Sequence, residues 1–438
     1  MKYTPHTPAD IEAALKVIGQ PTVDDLFNDI PQGLRDPNLD LPGGLDETQL
    51  LAHMKALAAR NSVDYPSFLG GGSRRHYVPS AVNALTFQSA FVTAYTPYQP
   101  EVSQGLLQGM FEYQSMMAEL TGLDVSNSSL YDGATAVAEA ALLAMRATGR
   151  ERLIVSRGVH PDSRGTLHTF LKALGAPIDT LALHDGRTAA GNVPADTAAV
   201  VVQNPNHLGF LEDMRAAAEA AHAVGALLIA VVDPFTLALL ATPGEYGADI
   251  AVGDGQPLGN DQAFGGPTFG FMVVREALLR QIPGRLVGQT VDAQGRRGFV
   301  LTLQAREQHI RRAKAKSNIC SNHALMALQG AIHLAALGPS GLREAATVAV
   351  SRAHEMAGVL AEAGLQPVAK GRFFNELTVR LPIPAVELRA RLAAHGIHGC
   401  VPIGSEYALG PAGLFAATEL TAPADLSALQ GALREVLA

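Results

Sequence analysis

Between Arg152 and Val274 the chain alternates short, almost wholly apolar runs with helical patterns. In order they read RLIVS, a helix over Pro161 to Leu174, IDTLALH, AAVVVQNP, a helix over Glu212 to Val224, ALLIAVVDP, ADIAVGD and FGFMVV. Strands that are apolar on both sides must be covered on both faces, and helical crossovers are what parallel pairing requires. This stretch therefore predicts an α/β domain on a mainly parallel sheet, with ligands collecting at the carboxyl ends of its strands. Those ends carry Gln203-Asn204-Pro205-Asn206 and Asp233-Pro234.

With 438 residues the chain exceeds one ordinary core and suits a large domain with a smaller companion. Residues 1–62 read as an N-terminal helical arm, 63–320 as the large α/β domain, and 321–438 as a connecting helix with a small C-terminal α+β domain. In the arm, Pro8-Ala9-Asp10 open a helix with Ile11, Leu15 and Ile18 at helical spacing and Gly19 as its stop, and a second helix runs from Asp46 to Asn61. Such thin apolar stripes need something larger to lie on, either the large domain or a partner. Beyond 320 the pattern predicts helices over His323 to Leu337 and Leu342 to Ala363, the strand NELTVRL, a helix from Pro384 to His395, and LFAATEL.

Composition excludes several classes. Hydrophobic residues at 47% and charged residues at 17% argue for a well-buried soluble protein, and a net charge of −8 argues against a general nucleic-acid binder. The segment Arg275 to Lys316 is the exception: ten Lys/Arg against three acidic residues make it +7 and leave −15 elsewhere. Arg311, Arg312, Lys314 and Lys316 are expected on a helix there, as a solvated face or as a patch for an anionic ligand or acidic partner. Cys320 and Cys400 sit in unrelated contexts, which suggests no disulfide or cysteine metal site and fits a reducing cytoplasm. No HExxH pair occurs among the histidines, the N-terminal stretch lacks a signal-like apolar core, and no apolar run approaches the roughly 20 residues that span a bilayer.

Four stretches carry polar chemistry. Ser67 to Pro79 holds three consecutive glycines beside Arg74, Arg75, His76 and Tyr77, as a surface loop or a site-lining one. The phrase TAYTPYQPE concentrates Tyr95, Thr96, Tyr98, Gln99 and Glu101 just before Gln104, with Pro100 and Glu101 expected to open a helix whose buried face is Val102, Leu106, Met110, Tyr113, Met117 and Leu120. Gly105 and Gly109 put a smooth strip on that helix. In SNSSLYDGATA, Ser128, Ser129, Gly133 and Thr135 stand near a helix N-terminus, where they either bind an anion or serve as caps. Gly253 to Gly270 is a glycine-rich loop between two strands.

A large parallel domain, a small C-terminal domain and an arm together suggest the aminotransferase-like fold (fold type I) of pyridoxal phosphate enzymes. In that group an Asp at a buried strand end pairs with the pyridinium nitrogen, a helix N-terminus takes the phosphate, and a Lys about twenty to thirty residues later forms the Schiff base. Asp233 and SNSSLYDGATA are placed like the first two. The Lys is missing: the lysines are Lys2, Lys16, Lys55, Lys172, Lys314, Lys316 and Lys370.

The phrases YTPYQPEVSQG, FEYQ, SLYDGATAVAEA, VVQNPN, PGEYGADIAVGDGQPLG, FGGPTFGFM and PGRLVGQTVDAQGRRGFVLTLQAREQHIRRAKAKSNIC make the reading specific. The chain resembles the glycine cleavage system P-protein family, decarboxylating glycine dehydrogenase, in the alpha (N-terminal-half) subunit of its two-subunit form. That resemblance implies a beta subunit bearing the lysine and the pyridoxal phosphate, an α2β2 heterotetramer, and an active site near the α–β interface. It further implies decarboxylation of glycine and transfer of the aminomethyl group to the lipoyl arm of H-protein. Gln256 takes the place of the partner's lysine. Tyr95, Thr96, Tyr98, Gln99, Glu101 and Gln104, with His76 and Tyr77, are then expected to face the partner's cofactor, whereas Asp233, Ser128, Ser129 and Thr135 become vestiges. Lys316, His323 and His207 depart locally from the family pattern. Two other readings stay open: a pyridoxal enzyme using a remote lysine such as Lys314, and an inert structural or regulatory scaffold.

Overall fold

The computed structural model describes residues 6–35, 37, 39–93, 95–189 and 191–438. Residues 1–5, 36 and 38 of the expected arm, and Ala94 within TAYTPYQPE, lie outside the described residues. The chain divides into two units, residues 1–63 and 64–438.

In the first unit, α1 (Pro8–Ile18) opens on reciprocal hydrogen bonds between Thr7 and Asp10 and stops at Gly19, whose φ of 80° ends the helix. Helix α2 (Glu47–Ala58) opens on the same device between Asp46 and Gln49. Neither helix has a buried residue. Their bounds are therefore set by local capping, because apolar burial does not define them.

The second unit is built on a seven-stranded sheet. Its strands are β1 (Val125–Ser126), β2 (Arg152–Ser156), β3 (Ile178–Leu181), β4 (Thr197–Asn204), β5 (Leu227–Val232), β6 (Ile250–Asp254) and β7 (Gly270–Val274), in the spatial order β1-β7-β6-β5-β4-β2-β3. Neighbours from β3 across to β6 run parallel, while β7 and β1 are antiparallel. Alternation along each strand divides the core. On β4, Ala199 and Val201 join a cluster with the helix Gly133–Thr148, while Val200 and Val202 join one with Tyr113, Met117 and the helix Met214–His222. Each fully buried Val or Ile contributes roughly 1.5–3 kcal/mol, so a sheet packed on both faces is the main source of stability here.

Two elements differ from expectation. Pro100–Val102 forms a separate 3-10 turn, and α3 (Gln104–Thr121) begins after Ser103, whose φ of −129° breaks helical continuity. Val102 is consequently exposed, whereas Leu106, Met110, Tyr113 and Met117 are buried as the spacing predicts. Of the two glycines, only Gly109 meets a close neighbour: a Cβ there would lie 2.6 Å from the Leu328 side chain, while Gly105 faces open space. In the basic segment, Leu286–Val291 and Arg297–Thr302 pair as an antiparallel hairpin (β8 and β9) that the sequence reading missed. The helix expected for Arg311 to Lys316 is only two short turns, Gln308–Arg311 and Arg312–Lys314, because Arg312 takes a φ of 51° between them.

Helix α4 (Gly133–Thr148) enters from the loop after β1. The segment Ala324–Glu362 is long and apolar enough to cross a membrane, but Gly338 (φ 63°, ψ 176°) breaks it, and Ala327, Ala331, Ala346 and Ala353 pack into the core on either side of the break. After it, β10 (Glu376–Arg380), β11 (Val401–Pro402) and β12 (Ala412–Ala416) form an antiparallel sheet in the order β10-β12-β11, packed with the helices Ala385–Ala394 and Pro423–Val436.

Candidate functional site

The carboxyl ends of β4, β5 and β6 open into a cavity of about 440 Å³, lined among others by Gly71 to Arg74, Asp132, His160, His207, Asp233, Asp254, Gln256 and Glu376. This is where a parallel sheet gathers ligands. What the cavity presents, however, is largely paired with itself.

Asp233 lies one residue beyond β5, and its carboxylate is bound by Nη2 of Arg74. The other guanidinium nitrogen, Nη1, reaches Glu376 Oε1 at 2.8 Å from the first residue of β10. Arg74 is 5% exposed. Burial alone would depress its pKa, but the Glu376 and Asp233 carboxylates override that penalty and hold the charge above its ordinary range. For Glu376, burial pushes upward and is overridden by the Arg74 charge and the Gly71 N–H, so its carboxyl sits below the usual range.

Gln256, two residues past β6, holds Arg74 in place. Its Oε1 accepts the Arg74 backbone N–H at 3.1 Å, and its Nε2 donates to the carbonyls of Arg74 at 2.9 Å and Asn260 at 2.8 Å. A carboxamide both accepts and donates; an ammonium group has no acceptor and cannot make this clamp.

The helix entrance is also spoken for. Asp132 caps α4, its Oδ1 accepting the backbone N–H of Thr135 at 2.7 Å and the Thr135 hydroxyl at 2.9 Å. Asp254 Oδ2 accepts the Gly133 N–H at 3.0 Å, and its Oδ1 accepts the Thr268 hydroxyl at 2.5 Å. Burial raises the Asp254 pKa, and the nearby Asp132 charge adds to the rise. Only glycine fits at 133, since a Cβ would stand 2.8 Å from the Asp254 nitrogen. Ser128 donates to Gln114 Oε1 at 2.9 Å, Ser129 Oγ accepts the His323 N–H at 3.3 Å, and neither serine lines the cavity.

A pyridine phosphate does not fit this lining. The ring's counter-carboxylate already holds a guanidinium, the helix N–H groups that would meet a phosphate hold carboxylates, and among the described residues no lysine lines the cavity to form a Schiff base.

The eight residues expected to face a cofactor are absent from this cavity's lining. Tyr95 is 78% exposed, with its hydroxyl 2.5 Å from Ser321 Oγ. The Tyr98 hydroxyl accepts from Arg285 Nη2 at 3.4 Å, and the Arg285 Cζ lies 5.5 Å from the Tyr98 ring centroid. Arg285 is buried and donates from Nη1 to the Ser321 carbonyl at 2.8 Å and to Asn322 Oδ1 at 3.0 Å, so both tyrosines are tied to one anchored segment. Gln104 pins the hairpin, donating to the Phe299 carbonyl at 2.8 Å and accepting its N–H at 2.9 Å. Gln99 and Glu101 are exposed and Thr96 is half-buried. His76 and Tyr77 lie in a different network: His76 Nδ1 is 2.9 Å from Glu419 Oε2, Glu419 Oε1 accepts the Tyr77 N–H at 2.6 Å, and the Tyr77 carbonyl is 3.2 Å from His333 Nε2. The structure thus brings Tyr95 and Tyr98 together and links His76 to Tyr77 through Glu419.

Sequence reading named Arg74 on a loop left open between a surface and a site-lining role, and missed Asp132, Asp254 and Glu376 as cavity residues. Arg74 beside three glycines was the available signal; the partners of such a residue emerge only when distant segments meet.

Fold and cavity together define a chain of the aminotransferase-like, fold type I class whose cavity carboxylates and helix entrance are paired within the chain. The chain is similar over most of its length to one family within that class: the model described as glycine cleavage system P-protein matches residues 1–429. The chain belongs to that family. It is 49% identical over 412 residues to the probable glycine dehydrogenase (decarboxylating) subunit 1 of Exiguobacterium sibiricum, covering 92% of each chain. Its identity to the protein so named in Moorella thermoacetica is 48% over 448 residues, covering 100% of each. A crystal structure of glycine decarboxylase (P-protein) of the glycine cleavage system in inhibitor-bound form superposes with a TM-score of 0.93 at 54% identity, covering 100% of both chains. The sphingosine-1-phosphate lyase of Burkholderia pseudomallei (TM-score 0.66, 16% identity, covering 93% of this chain and 94% of that one) shares the fold.

Proposed function

We propose that this chain is the subunit of a two-subunit glycine dehydrogenase (decarboxylating) that does not bear the lysine. In this reading the beta subunit carries pyridoxal phosphate, the two assemble as an α2β2 heterotetramer in the cytoplasm, and the aminomethyl group left by glycine decarboxylation passes to the lipoyl arm of H-protein. The observation that carries the reading is the self-paired cavity: Arg74 sits on Asp233, and Gln256 clamps Arg74. The cofactor supplies carbanion stabilisation where it is bound. This chain supplies side chains and a wall that excludes water.

Tyr95, Thr96, Tyr98, Gln99 and Glu101 are the proposed contributions to the partner's site. The support is that Tyr95 and Tyr98 are exposed yet held by Ser321 and Arg285, and a pre-ordered aromatic is what an interface uses at low entropic cost. Gln104 contributes by fixing the Phe299 backbone and His76 by holding the Glu419 carboxylate that binds the Tyr77 N–H, while the Tyr77 side chain is itself exposed. The test is glycine-dependent CO2 exchange by the purified chain, by the beta subunit, and by both together. Exchange only with both supports the proposal, and exchange by this chain alone contradicts it.

A further inference from the structure

We infer that Arg74 is the built-in substitute for the cofactor: it supplies the cation on Asp233 and closes this chain's cavity to pyridoxal-type ligands, quite apart from the missing lysine. The inference rests on the reading that the partner holds the cofactor, and it assigns a residue to a task that the loss of a lysine does not explain.

Space is not what bars a ligand, because about 440 Å³ remains open beside the strand ends. Charge is. A ligand ring carrying a protonated nitrogen needs a free carboxylate beneath it, and Asp233 is already bound by a guanidinium that is 5% exposed. That guanidinium cannot swing aside cheaply. Its second nitrogen is held 2.8 Å from Glu376, and the backbone of the same residue is fixed on both its N–H and its carbonyl by Gln256. The loop leading to it is packed equally closely: Glu376 Oε1 accepts the Gly71 N–H at 2.7 Å, and a Cβ at Gly70 would come within 2.3 Å of that oxygen. Displacing Arg74 therefore strands the buried Glu376 carboxylate and the partly buried Asp233 carboxylate at once.

Arg74 also has a mechanical role of its own. Asp233 follows the central strand β5 of the large sheet, and Glu376 begins β10 of the C-terminal sheet. One guanidinium thus ties the two sheets together across the cavity. The arrangement explains why Gln stands at 256: the amide secures the residue that replaced the cofactor, which no lysine at that position can do.

The probe is pyridoxamine phosphate, which needs no Schiff base and so removes the missing lysine from the question. Its binding is measured by titration calorimetry on the assembled two-subunit enzyme, with the beta subunit's site already saturated, for wild type, Arg74→Lys, Arg74→Ala and Arg74→Ala/Glu376→Gln. The double variant leaves Asp233 as the only stranded carboxylate, which guards against loss of the fold; melting and co-purification with the beta subunit verify each form. The expected result is at least about a tenfold gain in affinity for Arg74→Ala or the double variant, and none for Arg74→Lys. Equal gain in Arg74→Lys, or no gain in an assembled double variant, overturns the inference and leaves the carboxylates at the helix entrance as the barrier. Covalent pyridoxal phosphate already present on the wild-type chain is a different outcome: it overturns the proposed function itself.

Discussion

At Arg74 one guanidinium neutralises two carboxylates, Glu376 buried and Asp233 partly buried, that would otherwise lack a counter-charge. Removing one member of such a group costs more than the pair is worth against an apolar core, because the remaining charges stay buried. Arg74→Met should therefore destabilise the chain by about 3–5 kcal/mol in chemical denaturation, with Arg74→Lys losing less. His207 makes a second case. Burial, reinforced by the neighbouring His160, lowers its pKa from 6.5 to about 4. The folded state thus holds the imidazole neutral while the unfolded chain takes up a proton. The stability this represents is fully present above pH 6.5 and is lost as pH falls toward 4, by roughly 3 kcal/mol. His333 shifts the same way, chiefly through burial. Denaturation midpoints of His207→Gln should fall less steeply than wild type across this window. Among these residues, Asp233 was readable from its place after an apolar strand, and Gln256 from the family resemblance. The pairing of Arg74 with Asp233 and Glu376 was not: the Arg74–Asp233 pair spans 159 positions, and nothing local announces it.

Elements were readable where periodicity and burial agree. The strands at 152–156, 197–204 and 227–232 are apolar on both faces and lie in the core as expected. The hairpin at 286–302 escaped because only its base is buried: Leu286, Val287, Phe299 and Leu301 are interior while residues 289–297 are exposed, so no burial pattern runs the length of either strand. The helix start at Pro100 failed for a subtler reason: Ser103 leaves helical φ between the 3-10 turn and α3, and propensity alone does not foresee that break. Helix entrances give a sharp stability test. Gly133→Ala drives a Cβ against the Asp254 backbone and should cost about 1–3 kcal/mol, whereas Gly105→Ala meets nothing within 4 Å and should stabilise α3 by up to about 1 kcal/mol. Thermal melts of the two variants should shift in opposite directions.

For the whole molecule, two features look outward. Helices α1 and α2 bury nothing within their own unit, and the 93–103 stretch displays Tyr95, Tyr98 and Val102 to solvent. If the stretch serves a partner's active site, Tyr95→Phe with Tyr98→Phe in the assembled enzyme should lower kcat several-fold while assembly persists. Unchanged turnover favours the scaffold reading, for which the self-paired cavity is the supporting observation. By the proposed function, this chain lends surface to a neighbour's chemistry and holds no covalent cofactor. Borohydride reduction of the assembled enzyme, followed by peptide mass mapping, tests it most directly. The expected outcome is a pyridoxyl label on the beta subunit alone; a stoichiometric label on any lysine of this chain, Lys314 included, overturns the proposed function.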